Sequence, residues 1–192
     1  MNLLVVRMNE QSVKNKVIKE LAKLKKNKGV YAFLSKSEDY QVVNTEIMKY
    51  LTKTRKYSGI YVTLNKSHCD LVKNLKNKEI DTDKILFIDN VEKDKGCGAD
   101  NCLFLGGNQS LTALSMIMGK AAKQKEMKFM FFDSITTLLI YNKLDTAEKF
   151  IHYFINKVKN LEILMIIMSV EEEKTKKILP LLTQFCDGLV KI

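Results

Sequence analysis

Apolar residues in this chain fall into short unbroken runs, separated by stretches in which they recur every three or four positions. The runs at residues 30–35, 59–64, 85–89, 128–134, 162–169 and 189–192 have strand length. The stretches at 42–54, 69–78, 110–123, 146–159 and 171–185 have the spacing of amphipathic helices. A further helix is predicted over 10–27, with Val13, Val17, Leu21 and Leu24 on one stripe and Gly29 as its stop. Residues 1–7 begin with an apolar run and read as a first strand. Strands that alternate with helices in this way bury both faces of a mostly parallel sheet under helices. The expected fold class is α/β, in one domain over 1–192. Within it, 1–29 supply an N-terminal strand and basic helix, and 30–192 supply the core.

Single residues refine this picture. Pro180, the only proline, lacks an amide hydrogen and should kink the helix over 171–185 or split it in two. Ser110 stands where a hydroxyl can cap the helix that follows. Residues 91–101, with Gly96 and Gly98 among charges, read as a surface excursion. The turn Gly106, Gly107, Asn108, Gln109, Ser110 reads as a plain loop before that capped helix, in preference to an anion cradle.

Composition narrows the function classes. With 46% hydrophobic and 28% charged residues the chain is globular. No apolar run approaches the roughly 20 residues of a membrane helix, and the N-terminus has no basic leader or small-residue cleavage site. The expected location is the cytoplasm. The net charge of +10 raises nucleic acid as a partner. Against that, the excess is nearly all lysine, scattered along the chain, with Arg7 and Arg55 the only arginines, and arginine is the better reader of phosphates and bases. The basic surface reads as solvated, with nucleic-acid binding kept as an alternative. Cys69, Cys97, Cys102 and Cys186 lack the spacing of a metal site and read as free thiols of a reducing compartment.

Phe129, Met130, Phe131 and Phe132 lead into Asp133 and Ser134, four apolar residues before an acid and a hydroxyl. Gly59, Ile60, Tyr61, Val62, Thr63 and Leu64 follow a helix and a charged turn. Residues 80–89 give a helix end and a strand closing on Asp89, and the run from Asp133 to Asn142 has its own signature. In order and spacing these segments, across 30–192, resemble the RecA superfamily of P-loop ATPases, most nearly its archaeal KaiC-like branch. The resemblance implies a RecA-like, mostly parallel central sheet with helices on both faces. It also implies that Asp133 stands at the Walker B position.

Two departures from the family decide the functional expectation. A P-loop needs glycines so that backbone N–H groups can close around phosphates, a lysine for the β/γ-phosphates, and a hydroxyl for Mg²⁺. The corresponding turn here is Ser35, Lys36, Ser37, Glu38, Asp39, Tyr40, Gln41, Val42, Val43, Asn44, Thr45, without a glycine. With Thr45 at the hydroxyl position, Val42 and Val43 occupy the Gly-Lys positions, and β-branched residues resist the backbone conformations that glycine supplies. Glu38 and Asp39 would repel a triphosphate. Residues 36–41 are therefore expected to form a surface loop whose acids face solvent and favour the following helix dipole. Independently, the water-activating glutamate that the family places after its second core strand is replaced by Asn65 and Lys66.

The expected function is that of a catalytically inactive RecA/KaiC-like domain, acting as a protein-interaction or regulatory module with a protein partner or with itself. No catalytic residue, metal site or cofactor is expected. The first alternative is a protein that binds ATP and Mg²⁺ without turnover, with Lys36, Thr45, Asp133 and Ser134 as the residual site. If Asp133 is not a metal ligand, its expected role is to cap the next helix or bond a neighbouring hydroxyl such as Ser134 or Ser169.

Overall fold

The computed structural model describes residues 3–24, 28–91, 100–106 and 110–192, with residues 3–8 as backbone only. The strand Met127–Asp133 (β5) shows how the sheet is built. Phe129 and Phe131 belong to one core cluster and Met130 and Phe132 to another, because successive strand residues point to opposite faces. Both faces are buried, so the strand reads as continuously apolar.

β5 lies at the centre of a seven-stranded sheet among the described residues. The others are Gly29–Ser35 (β1), Ser58–Thr63 (β2), Ile85–Asp89 (β3), Cys102–Phe104 (β4), Leu164–Val170 (β6) and Gly188–Lys191 (β7). Their order is β4-β3-β2-β5-β6-β1-β7, and every pairing is parallel. Helices Leu3–Lys23 (α1), Tyr40–Lys49 (α2) and His68–Asn77 (α3) cover the face of Phe33, Phe129 and Phe131. Helices Leu111–Ala121 (α4), Ile135–Tyr141 (α5) and Leu144–Lys159 (α6) cover the face of Val62, Phe132 and Ile167. Glu173–Lys176 (α7) and Leu179–Phe185 (α8) complete the chain. This is the α/β class that the sequence predicts.

Three expectations need correcting. Residues 3–7 are not a strand: the backbone from Leu3 to Lys23 is one helix. That stretch has no Gly or Pro, and a helix nucleated by the stripe further along propagates through it one hydrogen bond at a time. Val17 and Leu21 of α1 are fully buried in the same cluster as Phe33 and Phe131, so α1 belongs to the core and not to a separate lead-in. β4, three residues paired with β3, falls just after the expected excursion and is too short to carry a periodicity. Cys69 is disulfide-bonded, whereas Cys102 and Cys186 are free thiols, pushed up to about 12 by burial. Cys97, the excursion at 92–99 and the turn residues 107–109 lie outside the described residues.

The helix over 171–185 does split. Pro180 sits in the first turn of α8, where its missing N–H leaves no bond unmade. Ser110 caps α4, its hydroxyl accepting from Ala113 N at 3.2 Å. Among the described residues no helix is long and apolar enough to cross a membrane.

Because all strands run the same way, their carboxyl ends share one rim of the sheet. β2 and β5 are neighbours, yet the chain leaves β2 towards β3 and leaves β5 towards β6. Open parallel sheets bind ligands at such a switch point. Asp133, at the end of β5, stands on it.

Candidate functional site

Asp133 is 1% exposed, and three side chains converge on its carboxylate. The Tyr40 hydroxyl donates to Oδ1 in a short hydrogen bond, and the Tyr61 hydroxyl donates to Oδ2 at 2.7 Å. Asn44 Nδ2 makes a longer contact with Oδ2, at 3.4 Å. Tyr40 and Asn44 are four apart in the first turns of α2 and so lie on one helix face. Tyr61 comes from β2, where Tyr61 pairs with Phe131 and Thr63 with Asp133.

The electrostatics follow from burial. Desolvation raises the Asp133 pKa, while the hydrogen bonds from Tyr40 and Tyr61 and the charge of Lys66 act in the opposite sense. Both tyrosine hydroxyls are pushed up, first by burial and then by the adjacent carboxylate. They therefore remain protonated donors. The Asp133–Ser134 peptide is cis.

Asp133 thus bonds neither of the hydroxyls expected of it, and it does not cap α5. Ser134 does the capping, accepting from Thr137 N at 3.3 Å. Ser169 instead pairs with Thr136 at 3.4 Å. A serine placed one residue after the strand is closer to the helix's open N–H groups than the strand's last acid.

The turn before α2 is tight. Asp39 N donates to Lys36 O at 3.2 Å and Tyr40 N to Ser37 O at 3.4 Å. Two consecutive N–H groups are thereby committed to the turn itself, whereas a phosphate nest requires such groups to converge on one outside point. Lys36, Ser37 and Glu38 are exposed, as expected of a surface loop, but Tyr40 is not part of it. Tyr40 opens the helix and is 8% exposed, because its ring joins the core cluster while its hydroxyl reaches Asp133. Asp39 precedes α2 without a side-chain capping bond.

The remaining sequence candidates do not gather around Asp133. The Lys36 side chain makes no hydrogen bond or ion pair among the described residues. Thr45 donates back along its own helix to Gln41 O at 2.7 Å. Val43 is fully buried in the core and Val42 is partly buried. The turn after β2 is stitched by Thr63, whose Oγ1 donates to Lys66 O at 2.8 Å. Lys66 Nζ reaches Gln41 Oε1 at 3.2 Å. Tyr61 was not among the candidates. The available signal was a hydroxyl-bearing ring between Ile60 and Val62 in a buried strand. His68 was also missed as a site residue: it is 3% exposed, sits edge-on to Phe87 and Phe104, and neither ring nitrogen has a hydrogen-bond partner.

A family model described as the ATPase KaiC matches residues 47–192, more than half of the chain. The chain belongs to the KaiC ATPase family. The match begins beyond Thr45 and therefore beyond the whole Lys36–Thr45 turn. No curated protein matches. Among solved structures, the KaiC-like protein PH0186 from the archaeon Pyrococcus horikoshii OT3 superposes with a TM-score of 0.57 at 11% identity, over 74% of this chain and 61% of that protein. The chain thus spans less than two thirds of that KaiC-like protein. An uncharacterized protein from Pyrococcus horikoshii, PH0321, solved in complex with an unknown peptide, superposes with a TM-score of 0.67 at 14% identity, over 92% of this chain and 82% of that one. At these identities the likeness is one of fold. In this KaiC-family fold, the helix that follows the Lys36–Asp39 turn sends its first tyrosine onto the acid at the end of β5.

Proposed function

We propose that this KaiC-family chain is a catalytically inactive domain that works by binding a protein partner or another copy of itself. One observation carries the reading: both oxygens of Asp133 accept hydrogen bonds from Tyr40 and Tyr61. A magnesium ion needs oxygen ligands at about 2.0–2.1 Å in near-octahedral order, and here it would have to displace two buried phenols. The residues around Asp133 do not fit a magnesium-bound triphosphate. Tyr40 fills the space beside the acid, the N–H groups of Asp39 and Tyr40 are taken by the turn, and Lys66 stands where the family's base is expected. An ammonium group cannot take a proton from water.

Support for a partner-binding role is separate. The α4–α6 layer leaves Met116, Ile140, Tyr141 and Tyr153 more than half exposed, apolar surface that a protein partner on this layer would cover. The Pyrococcus protein of similar fold was solved with an unknown peptide, which favours the same class of role here.

The test combines turnover with ligand-dependent melting. Purified protein is expected to release no phosphate from ATP above buffer background, and its melting temperature is expected to be unmoved by ATP or ADP with Mg²⁺. Turnover that disappears in Asp133→Ala would overturn the reading. A ligand at about 100 times its Kd adds about 2.7 kcal/mol of stability. A clear upward shift with nucleotide, without turnover, would therefore replace inactivity with nucleotide binding.

A further inference from the structure

Beside the Asp133 network a cleft of about 400 Å³ opens between α1, α2, the turn after β2 and α3. Asn44 and Tyr61, which hold Asp133, also line it. Its apolar part comes from Val42 and Met48 of α2 and from Leu71 and Leu75 of α3. Small-molecule sites occupy about 300–1,000 Å³ and combine an apolar lining with a few placed polar groups. This cleft lies at the lower end of that range.

Charge gives the ligand class. Lys14, Lys49, Lys66 and Lys78 line the cleft against two carboxylates, Glu10 and Glu46. Two of the lysines are compensated, Lys14 by Glu10 at 2.7 Å and Lys49 by Glu46 at 3.5 Å. Lys66 Nζ donates to the neutral amide of Gln41 at 3.2 Å and has no ion pair among the described residues, although the buried Asp133 carboxylate and its charge act on one another. Lys78 has no ion pair among the described residues. Four lysines against two carboxylates leave the lining with an excess of positive charge, and Lys66 and Lys78 each stand on fixed backbone. Thr63 ties the Lys66 turn, and Lys78 caps α3 with its own N–H bonded to Leu75 O at 3.0 Å. A concave, partly apolar wall strengthens the attraction of such charges for an anion relative to open water.

We propose that this cleft binds a small multivalent organic anion, a di- or tricarboxylate or a phosphorylated metabolite, with Lys66 and Lys78 on its charges and the leucines of α3 under its carbon skeleton. This deepens the binding role proposed above and rests on it in one respect: the anion is held and not turned over. Because Glu10 and Lys14 bring α1 to the same cleft, an occupant also ties α1 to α3.

Citrate and pyrophosphate serve as probes, titrated by calorimetry at constant ionic strength, with amide hydrogen exchange followed in parallel. The expected result is saturable one-site binding that falls at least about tenfold, or about 1.4 kcal/mol, in the Lys66→Gln, Lys78→Gln double variant, together with slower exchange in α1. Tighter binding of citrate assigns a carboxylate ligand, and tighter binding of pyrophosphate a phosphoryl one. Lys120→Gln, an exposed lysine of α4 outside the cleft, is expected to bind as the parent does. The proposal is overturned by three results: no saturable binding of either probe up to about 10 mM, binding unchanged in the double variant, or an equal loss in Lys120→Gln. Melting curves of both variants establish that they are folded. Absence of anion binding with no ATP turnover sinks this inference alone, whereas ATP turnover sinks the inactive-domain reading independently.

Discussion

The Tyr61 hydroxyl is buried inside the sheet, and its one acceptor is a carboxylate at 2.7 Å. Tyr61→Phe leaves Asp133 Oδ2 with only the 3.4 Å contact from Asn44. Hydrogen bonds to charged groups contribute about 1.5–3 kcal/mol, so a loss of that size is expected in urea unfolding at neutral pH. A change below about 0.5 kcal/mol, the usual scatter of surface substitutions, would mean that the phenol does not hold the acid. The pH dependence has a definite sign. Burial raises the pKa of Asp133 in the fold, so the native state holds that proton more tightly than the unfolded chain. The resulting stability is fully present below about pH 4, the unfolded value, and is lost as pH rises through the folded one. Asp133→Asn carries no such proton. Its stability deficit relative to the parent should therefore shrink as pH rises, and unfolding midpoints that run parallel in pH would contradict this. His68 has the opposite slope. Burial among aromatic rings lowers its pKa, with Asp89 acting against that shift. The unfolded chain then takes up the proton first, and stability is lost as pH falls below about 6.5. His68→Leu should gain on the parent progressively from pH 7 to pH 5 in thermal melts; a constant difference would show that the ring does not titrate in this window.

At the scale of elements, chain ends and turns are set by local bonds that sequence reading only partly anticipates. α3 closes with Ile80 N bonded to Leu75 O at 3.0 Å and Glu79 N to Lys76 O at 2.8 Å. These two bonds form a Schellman ending, which usually carries glycine at the left-handed position. That position here is Glu79, with φ 59°. Its side chain is 86% exposed, and its ion pair with Lys53 at 3.3 Å is of the surface kind, worth little. Glu79→Gly should stabilise the protein by about 0.5 kcal/mol, the relief of left-handed strain outweighing the greater freedom of the unfolded chain. A destabilised variant in denaturant unfolding would show that Glu79 contributes more than its backbone costs. α2 ends differently, running on as the π-helical turn Tyr50–Thr54 into Lys56, again left-handed at φ 55°. Nothing in the apolar spacing of residues 42–54 distinguishes such a turn from ordinary helix. Pro180 and Ser110 were legible because each acts on its own neighbouring N–H groups.

For the whole molecule, the question is whether residues 28–192 fold without α1. Val13, Val17, Leu21 and Leu24 are each at most 9% exposed and belong to the cluster under β1 and β5. Burying a large aliphatic side chain contributes about 1.5–3 kcal/mol, so the four together amount to roughly 6–12 kcal/mol, comparable with the whole stability of a domain, about 5–15 kcal/mol. A chain lacking residues 1–24 is expected to lose its cooperative thermal transition. A sharp melt close to that of the full chain would show α1 to be an appendage. The same dependence puts α1 in position to form one wall of the anion cleft.

Periodicity determined the alternation of strands and helices from β1 onward, apart from the short β4, and with it the mostly parallel sheet and the place of Asp133 at a strand's carboxyl end. These rest on residue-to-residue spacing, which is a property of the chain itself. The absence of glycine from residues 35–45 was equally plain in sequence, because a nest's backbone requirement is local. What fills the resulting gap was not. Tyr40, Asn44 and Tyr61 are 93, 89 and 72 residues from Asp133, and their meeting depends on β2 pairing with β5 and on the first turn of α2 reaching the same rim. The run Leu3 to Val6 suits a strand or a helix by spacing alone, and the helical backbone it joins decided the matter. Lys66 reads in sequence as a missing base; only the placement of α1, α2 and α3 around it makes it one of four lysines lining a cleft.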